Sequence, residues 1–88
     1  MNEVIIYSTP TCTYCQKAKR LFKMLDLNYE EIDISDSFEK TCAILEEKYN
    51  IPSISTVPQI IINNHYIGGY DDLESLYKNK KLDEILKK

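Results

Sequence analysis

The apolar residues of this chain alternate between two spacings, and that alternation restricts the fold more than any other feature. Val4-Ile5-Ile6-Tyr7 is a short continuous run rich in β-branched side chains. It reads as a buried strand, ended by Ser8-Thr9-Pro10. Ala18, Leu21, Phe22 and Leu25 then recur at helical spacing, with Lys17, Lys19, Arg20 and Lys23 on the polar side. The spacing predicts a helix over residues 13–25, starting near the first cysteine. Residues 29–34 form a second strand candidate. Ser35-Asp36-Ser37 supplies helix-capping residue types, and Phe38, Cys42, Leu45 and Tyr49 mark one stripe of a second helix. Residues 50–56, with Pro52, break that helix. The run from Val57 to Asn63 reads as a third strand, in which Pro58 is tolerated only at the beginning. Asn63-Asn64 suits a tight turn because asparagine accepts positive φ. His65 to Gly68 is a short fourth strand, and Leu73, Leu76 and Tyr77, then Leu82, Ile85 and Leu86, fit one or two closing helical segments.

The order βαβ-α-ββα predicts an α/β architecture. The first two strands should be parallel, joined by a right-handed crossover, and the last two should form an antiparallel hairpin. Helices should cover both faces of one mixed four-stranded sheet. The 88 residues fit one domain, 1–88, with no linker or repeat. Apolar residues at 43% and charged residues at 28% suit a soluble globular chain. The net charge of −3 weighs against a general nucleic-acid binder, and no apolar run approaches a membrane span. The chain begins with Met1 and lacks a basic segment followed by a long apolar one, so the expectation is a full-length protein without a secretory signal.

Three cysteines, Cys12, Cys15 and Cys42, are too few and too odd in number for a secreted disulfide scaffold. The expected compartment is a reducing cytoplasm, where a C-x-x-C near a βαβ pattern reads as redox chemistry. A thiol attacks as thiolate, and a helix N-terminus favours the thiolate through unpaired N–H groups and the helix dipole. Cys12 falls where the first turn begins, and Cys15 lies one turn along the same face. Cys12 is then the accessible nucleophile and Cys15 the more buried resolving thiol. A closed zinc site needs four ligands, and only Cys42 and His65 are good additional candidates. Cys42 sits on an apolar stripe as a small hydrophobe, and His65 sits beside a solvated turn, so no metal site is expected.

Three motifs follow one another along almost the whole chain: Thr11-Cys-Thr-Tyr-Cys15, Thr56-Val-Pro-Gln-Ile-Ile-Ile62 and Ile67-Gly-Gly-Tyr-Asp-Asp-Leu73. Together they resemble the glutaredoxin family, specifically its small dithiol members. The resemblance implies a thioredoxin fold and glutathione-dependent reduction of protein disulfides and glutathione mixed disulfides. Glutathione would be a co-substrate, with no tightly bound cofactor, and the partners would be disulfide-containing or glutathionylated proteins met by a monomer. By the same resemblance Cys12 is the nucleophile and Cys15 the resolving thiol. Tyr14 flanks bound glutathione, and Val57, beside Thr56, pairs its backbone with the cysteinyl part. Pro58 is a cis-proline, and Gly69, Tyr70, Asp71 and Asp72 hold the γ-glutamyl end. The glycines allow close backbone approach, while the aspartates can cap a helix as well as accept from an ammonium group.

Two positions depart from the family pattern. Thr13 replaces the common proline after the first cysteine, which restores an N–H near the thiolate. Thr9 stands where many relatives carry Lys or Arg, leaving Lys17 or Lys48 as the cations to consider in its place. Other readings are a thioredoxin-like carrier, which has no need of Gly-Gly-Tyr-Asp-Asp, an iron–sulfur carrier using Cys12 and glutathione thiolates, and an interaction domain with incidental cysteines. Cys15 competes with the iron–sulfur reading by offering Cys12 a disulfide.

Overall fold

A computed structural model describes residues 2–54 and 56–86; Ser55, within the expected helix-breaking stretch, lies outside the described residues. The elements follow the expected order: β1 (Val4–Ser8), α1 (Thr13–Met24), β2 (Glu30–Asp33), α2 (Phe38–Tyr49), β3 (Gln59–Ile62), β4 (His65–Gly68), α3 (Tyr70–Lys78) and α4 (Leu82–Ile85). The sheet order is β2-β1-β3-β4. β1 pairs parallel with β2 and antiparallel with β3, and β3 pairs antiparallel with β4.

The strand period of two divides the core between the sheet faces. Val4, Ile6, Ile60, Ile62 and Ile67 pack with Ala18, Leu21 and Phe22 of α1, Leu73 of α3 and Leu82 of α4. Ile61, with Ile5, Tyr7 and Tyr66 against it, packs on Cys42 and Leu45 of α2 and on Ile54. Phe22 is fully buried, and truncation to alanine at such a site costs about 3–5 kcal/mol. At the outer edge, Glu31 of β2 accepts from Lys19 Nζ at 2.9 Å and from the buried Ser8 hydroxyl at 2.7 Å. These two donors hold the Glu31 carboxyl below its ordinary range.

The chain has two glycines, so most left-handed positions fall to other residues. Asp26, Asn50 and Lys80 have φ of 58°, 55° and 61° at or just past the ends of α1, α2 and α3. Behind α1, Leu27 N–H bonds to Phe22 C=O and Asp26 N–H to Lys23 C=O, the paired closure that satisfies terminal carbonyls. This closure ends α1 at Met24, one residue before the expected stop. Asn63 and Asn64, at φ 51° and 67°, form the expected tight turn, since two positive φ values match the twist of the flanking strands. The second strand is shorter than expected, four residues against six: its ladder with β1 covers Glu30–Asp33, and the Ile34 N–H adds one last bond to Ser8 C=O at 2.9 Å. Ser37 occupies the cap position of α2 but its side chain caps nothing. Its hydroxyl lies 3.3 Å from the Thr41 hydroxyl instead.

Candidate active site

Cys12 is the N-cap residue of α1, with extended backbone, and its sulfur accepts from the Cys15 N–H at 3.0 Å. A side chain in this position meets one of the otherwise unpaired N–H groups of the first turn. No acidic residue stands in that turn, so nothing there opposes negative charge on sulfur. The Cys12 N–H bonds back to Thr9 C=O at 3.3 Å, which closes the loop leading from β1. Cys12 and Cys15 are joined as a disulfide, with Cα atoms 5.2 Å apart. Cys15 is fully buried, whereas Cys12 is partly exposed. Cys42 is buried in the core behind α2, where burial and the nearby Glu46 carboxylate raise its pKa.

The Val57–Pro58 peptide is cis, as the resemblance implies. Val57 C=O lies 3.6 Å from Cys12 Sγ and is placed to accept from that thiol in the reduced protein. From this point a groove of about 450 Å³ runs to the start of α3. Tyr14, Thr56, Val57, Pro58, Gly69, Tyr70, Asp71 and Asp72, eight of the residues expected from the sequence, all line it. The Tyr14 and Tyr70 rings lie 6.1 Å apart, joining the cysteine turn to α3. Burial raises the pKa of Tyr70, reinforced by its hydroxyl's hydrogen bond to Glu74 and by the Glu74 and Asp71 charges.

At the far end, Asp72 accepts from the Gly69 N–H at 3.2 Å, so its carboxylate caps α3. Gly68 has φ of 110°, and a Cβ there would run into the Asp72 carboxylate. Within the protein itself, the tight packing that excludes a side chain is at Gly68. At Gly69 a Cβ would sit in ordinary contact with the Pro58 carbonyl, 3.7 Å away.

The two cations considered in place of Thr9 both stand beside aromatic rings. Lys17 Nζ sits 5.0 Å from the centre of the Tyr14 ring, and Lys48 Nζ sits 5.4 Å from that of Tyr49. Four groove residues escaped the sequence reading: Ser53, Ile54, Gln59 and Tyr66. Gln59 was visible as the polar residue opening an isoleucine strand. Tyr66 falls opposite Ile67 by strand alternation, while Ser53 and Ile54 lie in a loop that carries no such pattern. Among the described residues, no group of three or more His, Cys, Asp or Glu side chains is placed to hold a metal ion. No described helix is long and apolar enough to cross a membrane.

Comparison with known proteins agrees with this geometry. The glutaredoxin family model matches residues 4–67. Glutaredoxin 1 of Rickettsia bellii is 43% identical over 86 residues, covering 98% of this chain and 88% of that protein. The dithiolic glutaredoxin of Trypanosoma brucei brucei superposes with a TM-score of 0.81 at 33% identity, covering 98% of this chain and 88% of that one. A buckwheat glutaredoxin–glutathione complex gives a TM-score of 0.78 at 30% identity, covering 97% and 76%. With the thioredoxin fold, the C-x-x-C disulfide and these similarities together, the chain belongs to the glutaredoxin family of glutathione-dependent thiol–disulfide oxidoreductases.

Proposed function

We propose that Cys12 is the nucleophile, Cys15 the resolving thiol, and the groove from Val57 to Asp72 the glutathione site. The observation that carries this reading is the inequality of the two sulfurs: Cys12 caps α1 at the mouth of the groove, and Cys15 is sealed behind it. The Cys12 thiolate attacks the glutathionyl sulfur of a mixed disulfide. The substrate thiolate leaves and takes a proton from solvent, and a Cys12–glutathione disulfide remains. A second glutathione thiolate attacks the glutathionyl sulfur, which releases oxidised glutathione and regenerates the Cys12 thiolate. With a protein disulfide as substrate, Cys12 forms the mixed disulfide and Cys15 displaces the substrate. The product is the Cys12–Cys15 disulfide, which two glutathione molecules reduce in turn.

In the groove, the Val57 backbone would pair with the cysteinyl part of the ligand and Tyr14 would flank it. Tyr70, Asp71 and Asp72 would meet the γ-glutamyl end, where a carboxylate can accept from its ammonium group. Asp72 is already a cap, but a carboxylate has more acceptor sites than one N–H fills. The buckwheat relative, whose structure is a glutathione complex, supports glutathione as the ligand. Glutathionylated and disulfide-containing proteins are the proposed partners, met by a monomer in a reducing cytoplasm. The test is a coupled assay with glutathione, glutathione reductase and a small glutathione mixed disulfide. NADPH consumption proportional to the chain is expected; a rate no greater than the uncatalysed exchange would refute the reading.

A further inference from the structure

We propose that Gln59 and Tyr66 are positioning residues that hold the Thr56–Val57 backbone in register for glutathione. This rests on the reading of the groove as the glutathione site. Gln59 is a polar side chain on a residue only 3% exposed, in a strand otherwise made of isoleucine. Its Nε2 donates to Thr56 C=O at 2.8 Å, and its Oε1 accepts from the Tyr66 hydroxyl at 2.5 Å. Chemistry fixes these directions. A carbonyl can only accept, so the amide nitrogen must face Thr56, and the remaining amide oxygen must receive the Tyr66 proton.

The two bonds form a strut from the sheet to the loop. Thr56 and Val57 lie outside every strand, whereas Gln59 pairs with Tyr7 on β1 and Tyr66 with Ile61 on β3. The Tyr66 ring lies 5.9 Å from that of Tyr49 on α2, so the strut is anchored on two elements. Drawing the Thr56 carbonyl toward Gln59 fixes the peptide plane that Thr56 shares with Val57, and with it the direction of the Val57 N–H. A ligand pairing with Val57 like a strand needs that direction set beforehand, because ordering the loop on binding weakens affinity.

The test compares Tyr66→Phe and Gln59→Met with the parent in the full chain. Steady-state kinetics are measured with one peptide carrying either a glutathionyl or a cysteinyl mixed disulfide, together with the pH profile of Cys12 alkylation and the melting temperature. Tyr66→Phe, which loses one hydrogen bond, should raise KM for the glutathionyl peptide about threefold, and Gln59→Met, which loses both, about tenfold. The value of kcat, the alkylation profile and KM for the cysteinyl peptide should stay at parent values. If Gln59→Met does not fold, Tyr66→Phe, which removes a single hydroxyl, decides alone. Unchanged KM for the glutathionyl peptide, in a parent that prefers it over the cysteinyl one, overturns the positioning role and leaves the groove reading standing. A parent without that preference overturns the groove reading and the positioning role together. Equal losses on both peptides would assign the pair to packing and also overturn the proposal.

Discussion

Two helices begin beside the same groove, and their first turns are built oppositely. α1 opens with a sulfur as its cap and has no acidic residue in its first turn. α3 opens with Gly69 as its cap and carries Asp71 and Asp72 there. Each N-terminus presents unpaired N–H groups and a partial positive charge. On α3, Asp72 accepts one of those N–H groups and the two carboxylates offset the dipole. On α1, the Cys15 N–H points at Cys12 Sγ and the dipole remains uncompensated by acid. Of two similar helix ends, one faces a sulfur and the other carries carboxylates; in the proposed function the first stabilises a thiolate and the second accepts from a cation. A ligand bearing a thiol near its middle and an ammonium group at one end matches that division.

The largest effect should come from the sulfurs of the α1 turn. Cys12→Ser is expected to abolish both removal of glutathione from mixed disulfides and reduction of protein disulfides. Cys15→Ser should keep appreciable deglutathionylation, because a second glutathione resolves the intermediate, and lose most reduction by the dithiol route. Assaying both substrates on both variants checks this; an active Cys12→Ser beside a dead Cys15→Ser would reverse the roles. At the α3 end, Asp72→Asn keeps size but removes charge. It should lower catalytic efficiency with glutathionylated substrate about tenfold, within reach of one charge-assisted bond. The Cys12 alkylation profile should not move, and unchanged kinetics would reduce Asp72 to a cap.

Two smaller changes sharpen the contrast by making the ends more alike or more different. Thr13→Asp places in the α1 turn the kind of acid that α3 carries. It should move the pH of half-maximal Cys12 alkylation upward by about half a unit, the scale of a charge at a helix end. Thr9→Lys acts in the opposite sense and should move that pH downward by about a few tenths of a unit. The Thr9 shift should shrink with added salt. Profiles taken at low and high salt check both, and no displacement by Thr13→Asp would mean that the first turn does not govern Cys12.

The layout of the fold was legible because it depends on local period. Ile5 and Tyr7 face one helix layer while Val4 and Ile6 face the other, which alternation alone predicts. The Asn63-Asn64 turn followed from a side chain that tolerates positive φ. The expected groove residues came from motifs, and the structure gathers them along one surface. Contacts set by packing were not legible. No local pattern says that Gln59 reaches back to Thr56 and across to Tyr66, or that Lys17 settles over Tyr14. The closures behind α1 and α3 were also not legible, since Asp26 and Lys80 take a conformation usually left to glycine. Ser37 shows the converse: a favoured capping residue stands at the cap position, yet the local backbone turns its hydroxyl to Thr41.

The central claim is that the acid-free start of α1 makes Cys12, and neither of the other thiols, the reactive sulfur. The most direct measurement is the rate of iodoacetamide alkylation of the fully reduced protein across pH, with each cysteine followed by peptide mass spectrometry. Cys12 should react first, with a midpoint below the ordinary thiol value of about 8.5, while buried Cys15 and Cys42 lag far behind. A Cys12 midpoint at or above that ordinary value, or earlier alkylation of Cys15, would contradict the account.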